Sequence, residues 1–560
     1  MKDPHMAASH ALSPSARLLR HLQLERPIIF TIIVYSVAIG LLSLALPIAT
    51  QSLVNTIAFG NVYQPIIVLT LLLAIVLVFA AVLQALRVYA VESLQQRVFV
   101  RVASETVHRV LRARNDAFDH HHGPELVNRF FDVVTLQKAA ASLLIDGLSV
   151  VMQSGIGLIL LALYHPWLLA FDLFLIAAIL VIVFPAGRGA VASAINESKA
   201  KYAVVAWFEE IARHSVTFKT PDAAMLAISR SDTLTADYLI CRKKHFRILF
   251  RQILGSYSLY AIASAGLLGV GGWLVIMRQL TLGQLVAAEL VVGLVVTGFS
   301  KLGKHLESYY DLLAAMDKLG YIEDLPLEPV PHIKQESQSA APASALLRDV
   351  TLGYSSVPLL ENAWLEIRAG KHIGLSGLSG RGKSSLLDLL YGLREPNRGA
   401  VEVDATDLRE WDRSRLRREV ALVRTPEIFE GTVLDNVRLG DADADIVDIR
   451  WALEQVGLLE EIQALPDGLQ TRLSTGGRPL SEGQAMRLVF ARVLLKRPRL
   501  LLVDEALDAM NDAHGRDTLL KTLFAPETPW TLVVASSNSE LLRLCDTVYE
   551  IDQKQLVKKA

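Results

Sequence analysis

Charged residues are missing from a long stretch near the start of this 560-residue chain. Between Pro27 and Leu86 there is no Asp, Glu, Lys or Arg. One membrane-spanning helix needs roughly 20 apolar residues, so this stretch predicts two spans and not the core of a soluble domain. The stretch is also too long for the apolar region of a signal peptide, and we therefore expect no cleavable signal.

Cysteine is scarce and the net charge is close to zero. The two cysteines, Cys241 and Cys545, lie far apart, which argues against a cysteine-based metal site and is typical of reduced thiols facing the cytosol. The formal net charge is −1, so we expect no nucleic-acid partner. Apolar side chains are abundant instead, at 52% of residues with a mean hydropathy of +0.36, which indicates a membrane protein.

The apolar segments predict six membrane spans. We place them at 27–49, 64–88, 142–162, 167–187, 252–277 and 282–300. Pro47 and the polar residues up to Asn61 form the predicted turn between the first two spans. Two charged helical segments, about 90–140 and 189–248, follow spans two and four. Arg278 is the only basic residue (Lys or Arg) in the predicted outer loops, whereas the two long segments contain many. This asymmetry of positive charge predicts that both termini and both long segments lie in the cytoplasm.

The composition divides the chain into four predicted segments. They are an N-terminal segment with an amphipathic interfacial helix (1–26), a six-helix membrane domain (27–325), a Pro-, Ser- and Ala-rich linker (326–344) and an α/β domain (345–560). Residues 1–5 could be a cloning remnant before a native start at Met6.

The α/β domain opens with a phosphate-binding pattern, G-x-x-x-x-G-K-S, at residues 377–384. A short strand precedes it and a helix follows, so backbone N–H groups can face an anion. Lys383 adds a positive charge for the β/γ-phosphates, and the Ser384 hydroxyl can ligate Mg²⁺. The pattern therefore predicts ATP and Mg²⁺ as cofactors. The predicted nucleotide contacts here are Gly377, Leu378, Ser379, Gly380, Arg381, Gly382, Lys383, Ser384 and Ser385.

Two later patterns complete the predicted ATP site. The apolar run 500–503 is followed by Asp504, placed to hold Mg²⁺ through water, and by Glu505, placed to polarise the attacking water. Glu505 and Lys383 are thus the predicted catalytic residues. The sequence L-S-E-G-Q at 480–484 opens a helix whose hydroxyl, N–H groups and dipole suit an anion. The predicted ATP contacts of this segment are Ser481, Gly483 and Gln484.

Two acids lie inside predicted spans, Asp172 in the fourth and Glu289 in the sixth. A charge in hydrocarbon is costly, so each should face a cavity or a partner. Either the pair contacts a cationic or peptidic substrate, or each makes a helix–helix hydrogen bond or lies close to water. The triplet His120–His122 favours a solvated loop over a metal site, because adjacent histidines point in different directions.

The order of these patterns resembles the ATP-binding cassette (ABC) exporter half-transporters, over nearly the whole chain. That resemblance implies a membrane all-α six-helix transmembrane domain plus an α/β P-loop nucleotide-binding domain. Residues 118–129 are similar to the family's first coupling segment, and residues 282–287 to the start of its sixth helix. Tyr354 stands where the family stacks an aromatic ring on adenine.

The resemblance also implies a dimer, with each ATP held between the phosphate loop of one subunit and the L-S-x-G-Q segment of the other. We expect a homodimer more than a heterodimer, in a bacterial cytoplasmic (inner) membrane with membrane lipid around it. The expected activity is ATP-driven export of a peptide or protein, a lipid or an amphipathic molecule, with a periplasmic adaptor as a further candidate partner.

Four positions depart from the family's pattern. Arg424 replaces the glutamine that touches Mg²⁺, and a guanidinium cannot ligate a cation because it has no acceptor. It must point either toward the phosphate oxygens or away from the site, and we include Arg424 and Ser536 among the predicted ATP contacts. Ser536 replaces the switch histidine and is too short to bridge directly to the γ-phosphate. Thr475 and Asn511 replace a glutamate and an aspartate. Because Lys383 and the other core residues remain, we expect ATP binding to survive and hydrolysis to be either slow or supported by a substitute such as Arg424. The alternative is a weakly hydrolysing subunit of a heterodimer or of a secretion scaffold.

Overall fold

A computed structural model describes residues 12–59, 63–119, 123–329, 341–354, 357–510 and 513–559. These residues form two compact units. The membrane unit runs to Ala113 and continues from residue 123 to Pro326, and the cassette unit contains Arg114–Asp119 and the chain from Leu327. Residues 1–5, Asn61, the triplet His120–His122, Asn511 and most of the predicted linker lie outside the described residues.

The described part of the membrane unit is helical. Its helices are α1 (Pro14–Leu24), α2 (Arg26–Ser43), α3 (Ala45–Phe59), α4 (Tyr63–Arg112), α5 (Gly123–Asn128), α6 (Asp132–Ser142), α7 (Leu148–Tyr164), α8 (Pro166–Val183), α9 (Ala190–Arg213), α10 (Pro221–Ile276), α11 (Leu282–Ser300) and α12 (Leu302–Glu323). Six stretches of the described helices are long and apolar enough to cross a membrane: Arg26–Ile57, Gln64–Arg112, Glu125–Tyr164, Pro166–Val183, Pro221–Ile276 and Leu282–Ser300.

Local sequence explains where several of these helices begin. Pro166 opens α8, and the His165 side chain accepts a hydrogen bond from the Trp167 backbone N–H at 3.2 Å. Thr281 and Gln284 cap α11 reciprocally, with backbone-to-side-chain distances of 2.8 and 3.1 Å. Such caps satisfy N–H groups that have no partner within the helix, so they fix the turn between two spans.

The first turn differs from the sequence-based prediction. The chain breaks at Leu44, between α2 and α3, and then stays helical to Phe59, so Pro47 is not in a turn. Proline is tolerated in the first turn of a helix because its missing N–H is not needed there. The charged segments after spans two and four are helical, and α4 and α10 each carry an apolar and a charged part in one continuous helix.

Helix α1 is held by ionic contacts with the end of α12. The Arg17 side chain is buried and donates to Glu323 at 3.2 Å and also to Asp324. His21 contacts the same Glu323 carboxylate at 2.8 Å. Two ion pairs and a hydrogen bond therefore join the start of the membrane unit to its C-terminal end.

The cassette unit combines two sheets with short helices. Its strands are β1 (Ala345–Tyr354), β2 (Val357–Ile367), β3 (His372–Ser376), β4 (Arg398–Val403), β5 (Thr406–Asp407), β6 (Val420–Val423), β7 (Gly431–Thr432), β8 (Arg472–Leu473), β9 (Leu500–Asp504), β10 (Thr531–Ala535), β11 (Thr547–Asp552) and β12 (Gln555–Lys559). Its helices are α13 (Lys383–Leu390), α14 (Arg413–Glu419), α15 (Val433–Arg438), α16 (Ile446–Gln455), α17 (Leu459–Gln463), α18 (Glu482–Leu495), α19 (Ala513–Leu523) and α20 (Ser539–Leu542).

The larger sheet positions the predicted site. Its order is β12-β11-β3-β10-β9-β6, and its strands are parallel except for β12. Strands β3, β9 and β10 are buried throughout, as expected for a parallel sheet covered on both faces. The residues that follow parallel strands meet at one edge, and the phosphate loop, Asp504 and Ser536 all follow such strands.

Candidate functional site

The phosphate loop joins β3 to α13. Gly382, the residue before α13, has a φ of 104°, and Gly377 has a φ of 136° with the Ile551 carbonyl oxygen 3.1 Å from where a Cβ would lie. Neither position suits an L side chain, because the first lies in the left-handed region and the second also lacks space. The glycines of the pattern are therefore required by the backbone of the loop.

Lys383 reaches back across the loop. Its Nζ donates to the Gly377 carbonyl oxygen at 2.9 Å and lies 3.1 Å from Glu505 Oε1. The lysine side chain is 4% exposed, whereas that of Glu505 is 48% exposed. The two predicted catalytic residues are thus in contact, and the carboxylate remains open to an approaching molecule.

Ser384 and Asp504 also meet. The Ser384 hydroxyl donates to Asp504 Oδ1 at 3.1 Å, and the aspartate side chain is 2% exposed. A hydroxyl and a carboxylate are oxygen ligands of the kind that Mg²⁺ prefers. Ser384 and Asp504 therefore supply two oxygen atoms of the kind that the predicted metal would use.

Arg424 lies beside Asp504 because of sheet register. Strand β6 pairs with β9 so that Val423 is opposite Val503, which makes Arg424 and Asp504 neighbours. Arg424 Nε donates to Asp504 Oδ2 at 2.5 Å, and Nη2 donates to Asp388 Oδ1 at 2.8 Å. Burial lowers the pKa of Arg424, but the two carboxylates more than offset this and hold the pKa above its ordinary value.

Ser481, Gly483 and Gln484 lie at the beginning of α18, where they form a cap. Gln484 N–H donates to Ser481 Oγ at 3.3 Å, and Ser481 N–H donates to Gln484 Oε1 at 2.7 Å. The Gln484 amide also donates to Glu461 at 2.6 Å, and Glu461 pairs with the buried Arg487 at 2.7 Å. The described side-chain hydrogen bonds of Ser481 and Gln484 are thus made to each other and to Glu461 of α17. The Ser481 residue itself is exposed.

Ser536 follows β10 and is buried. Its hydroxyl donates to Asp508 Oδ1 at 2.6 Å and accepts from the Asn538 N–H at 2.9 Å. The Ser537 N–H donates to the other oxygen of Asp508 at 3.0 Å. The hydroxyl is therefore engaged by the segment after β9.

The remaining predicted contacts have varied surroundings. Leu378 is exposed, Ser385 is buried, and Arg381 makes an ion pair with Asp552. Ser379 and Gly380 are exposed in the loop, and Thr475 is exposed before α18. The side chain of Tyr354 lies outside the described residues.

The two acids of the membrane unit are not equivalent. Asp172 in α8 is 3% exposed, and neither of its carboxylate oxygens has a hydrogen-bond partner among the described residues. It shares one face of α8 with the buried Leu168 and Leu175. Glu289 in α11 is exposed. Only Asp172 therefore combines burial with the absence of a described partner.

Sequence reasoning missed three acids that bind the predicted residues: Asp388, Asp508 and Glu461. Asp388 lies one helical turn after Ser384, a spacing that places both on one face of α13, so this signal was present in the sequence. Asp508 and Glu461 bind residues 28 and 23 positions away, and local spacing gives no such signal.

Comparison with known proteins defines the class. A profile of the ABC transporter transmembrane region matches residues 29–298, and a profile of the ABC transporter cassette matches residues 360–508. Together these ranges span most of the chain. The chain belongs to the ABC transporter family, with six candidate transmembrane helices followed by an α/β ATPase cassette.

Individual relatives share different parts of the chain. The mycobactin import ATP-binding/permease protein IrtB of Mycolicibacterium thermoresistibile is 30% identical over 316 residues, which cover 56% of this chain and 54% of IrtB. This match therefore spans about half the length of that relative. The alpha-hemolysin translocation ATP-binding protein HlyB of Escherichia coli is 23% identical over 95% of this chain and 76% of HlyB.

A solved structure shares the fold. The structure of a bacterial Atm1-family ABC exporter with ATP bound matches with a TM-score of 0.81 at 20% identity, covering 95% of this chain and 94% of that chain. At this identity the match shows the exporter-type fold alone.

Proposed function

We propose that this chain is half of a dimeric exporter that uses ATP to move a substrate across a bacterial cytoplasmic membrane. The observation that carries this proposal is the contact of Lys383, in the phosphate loop, with the exposed carboxylate of Glu505. In the proposed cycle the cassettes close on ATP and reopen after hydrolysis, and the membrane domains alternate between two openings.

Each residue has a proposed role in this cycle. Lys383 binds the β/γ-phosphates, and Glu505 orients the attacking water. Ser384 and Asp504 would hold Mg²⁺, which when bound supplies positive charge against the phosphate oxygens. The exposed Ser481 at the start of α18 would contact ATP held by the second subunit, which is why one chain alone is half of a site.

The substrate class stays broad. The names of IrtB and HlyB refer to mycobactin import and to hemolysin translocation. We propose a peptide or protein, a lipid or an amphipathic molecule, and a homodimer in preference to a heterodimer. Asp172 is the proposed substrate contact within the membrane unit, because it is buried without a described partner.

The test is ATP turnover by the full-length dimer in lipid nanodiscs. Glu505→Gln should reduce turnover to background while ATP still binds, since the amide cannot accept a proton. Arg409→Gln is a matched control, because Arg409 pairs with Asp407 on an exposed hairpin. Equal turnover by the wild type and Glu505→Gln would contradict an active pump.

A second candidate is a subunit that binds ATP and hydrolyses it weakly, within a heterodimer or a secretion complex with a periplasmic adaptor. The contact of Ser536 with Asp508 favours it, because that hydroxyl is already engaged. Ser536→His should raise turnover if the missing imidazole limits hydrolysis. No rise in a folded variant would mean that Ser536 does not set the rate.

A further inference from the structure

A guanidinium group stands beside the two residues that suit a metal. Arg424 binds one oxygen of Asp504 at 2.5 Å, while the Ser384 hydroxyl binds the other at 3.1 Å. Both oxygens of this carboxylate are therefore engaged within the protein. The Arg424 Nη2 group also donates to the Ser384 carbonyl oxygen at 3.2 Å, so the arginine contacts both predicted metal ligands.

A second carboxylate fixes this position of the arginine. Asp388 accepts from Arg424 at 2.8 Å, and its side chain is 8% exposed. Arg394 Nε lies 3.6 Å from the other oxygen of Asp388. Buried carboxylates are costly without a cation, so Asp388 and Asp504 together stabilise a positive charge between them. Sheet register brings Arg424 to this point, and Asp388 orients it.

One nitrogen of Arg424, Nη1, remains available to bind a ligand. Among the described residues, hydrogen bonds are made by Nε and Nη2 of Arg424, and Nη1 makes none, while the side chain is 37% exposed. A guanidinium suits phosphate because its planar N–H groups match the phosphate oxygens. It cannot ligate Mg²⁺, and its charge opposes a second cation on the same carboxylate.

We propose that Arg424 is the resident cation of this ATP site, held there by Asp388, and that it makes nucleotide binding largely independent of Mg²⁺. The proposal rests on ATP binding at the phosphate loop. The arginine then supplies positive charge next to the phosphates, and Mg²⁺ adds less affinity than it would if Asp504 were free to hold the metal alone.

The test measures binding of trinitrophenyl-ATP to the full-length protein in nanodiscs, once with Mg²⁺ and once with EDTA. The quantity of interest is the ratio of the two dissociation constants. For the wild type we expect a ratio within about threefold of one, and for Arg424→Gln a ratio of about tenfold or more in favour of Mg²⁺. Arg424→Lys keeps the charge and should stay close to the wild type.

Three further variants serve as controls for this measurement. Arg424→Gln leaves two buried carboxylates without their cation, so the double variant Arg424→Gln/Asp388→Asn removes one of them and should show the same raised ratio in a stable protein. Lys383→Ala should abolish binding with or without Mg²⁺, which tests ATP binding at the loop separately. Arg409→Gln should leave the ratio unchanged.

Clear outcomes overturn the proposal. A wild-type ratio of about tenfold or more would mean that Mg²⁺ and not Arg424 supplies the charge. Equal ratios in the wild type and in the double variant would mean that the arginine plays no part in nucleotide affinity. If Lys383→Ala binds like the wild type, the nucleotide is bound elsewhere and the proposed function fails with it.

Discussion

Two buried charges of the cassette unit have ionic partners that two buried polar side chains of the membrane unit lack among the described residues. In the cassette unit, Asp504 pairs with Arg424 and the 2% exposed side chain of Arg487 pairs with Glu461. In the membrane unit, Asp172 and His305 are buried, and their side-chain oxygen and nitrogen atoms have no hydrogen-bond partner among the described residues. Buried charge is paired at these cassette positions, as it is at Arg17 of the membrane unit, whereas Asp172 and His305 are buried without described partners.

The difference has a physical meaning. Removing one member of a buried pair leaves the other charge uncompensated, which destabilises the fold. Replacing a buried polar group that has no partner by an apolar one removes a cost that the fold already carries. Substitutions of a paired buried charge and of an unpaired buried carboxylate should therefore change the free energy of unfolding in opposite directions, and the unpaired group is a candidate for function.

The largest expected effect is at Arg487. Arg487→Ala should lower the free energy of unfolding of the cassette unit by about 3 kcal/mol, because the Gly457 carbonyl loses its donor, Glu461 loses its cation and the buried arginine stem leaves a cavity. Denaturant unfolding followed by tryptophan fluorescence measures this. Arg409→Ala, at an exposed pair, should change it by less than about 0.5 kcal/mol. A loss at Arg487 no larger than at Arg409 would contradict the importance of buried pairing.

Cys545 extends the comparison to a half-buried group of the cassette without an ionic partner. Burial raises the pKa of its thiol to about 12. Because the thiolate forms only as the pH approaches this value, the thiol stays protonated between pH 7 and 9. In a Cys241→Ser background, alkylation at pH 8 should be roughly a hundredfold slower than in urea-unfolded protein. Equal rates would show that Cys545 is accessible and unshifted.

The smallest expected effect has the opposite sign. Asp172→Leu should raise the free energy of unfolding by about 1–2 kcal/mol, because a buried carboxylate without a described partner is replaced by a side chain that matches Leu168 and Leu175. Thermal unfolding in detergent measures the change. Asp172→Asn should shift it less, since the amide is still polar. A destabilised Asp172→Leu would reveal a partner, and transport lost from a stabilised variant would support a substrate role.

Much of the site could be predicted from the sequence. The phosphate loop, Asp504, Glu505 and the cap at Ser481 depend on short spacings, which local backbone geometry converts directly into structure. The fold class was predictable for the same reason, because span length and strand hydropathy are local properties. The turn predicted at Pro47 was wrong. Proline occurs both in turns between helices and in the first turn of a helix, and the sequence alone does not distinguish these two positions.

Other contacts could not be predicted from spacing. The sequence showed that Arg424 cannot bind a metal, but not where the guanidinium points. Its contact with Asp504 comes from the register of β6 on β9, and its contact with Asp388 comes from the packing of α13 against that sheet. Ser536 was expected to be too short for the γ-phosphate, and its partner Asp508 lies on the segment after a neighbouring strand.

The sequence by itself determined the class of this protein and its phosphate loop, because the membrane spans and the cassette motifs are each local patterns of about 20 residues or fewer. Tertiary structure alone decided which charges neutralise one another. Asp388, Arg424 and Asp504 are separated along the chain, and they meet because β6 and β9 end side by side and α13 packs next to them. The partners of a charge depend on distances in space, which a linear pattern does not contain.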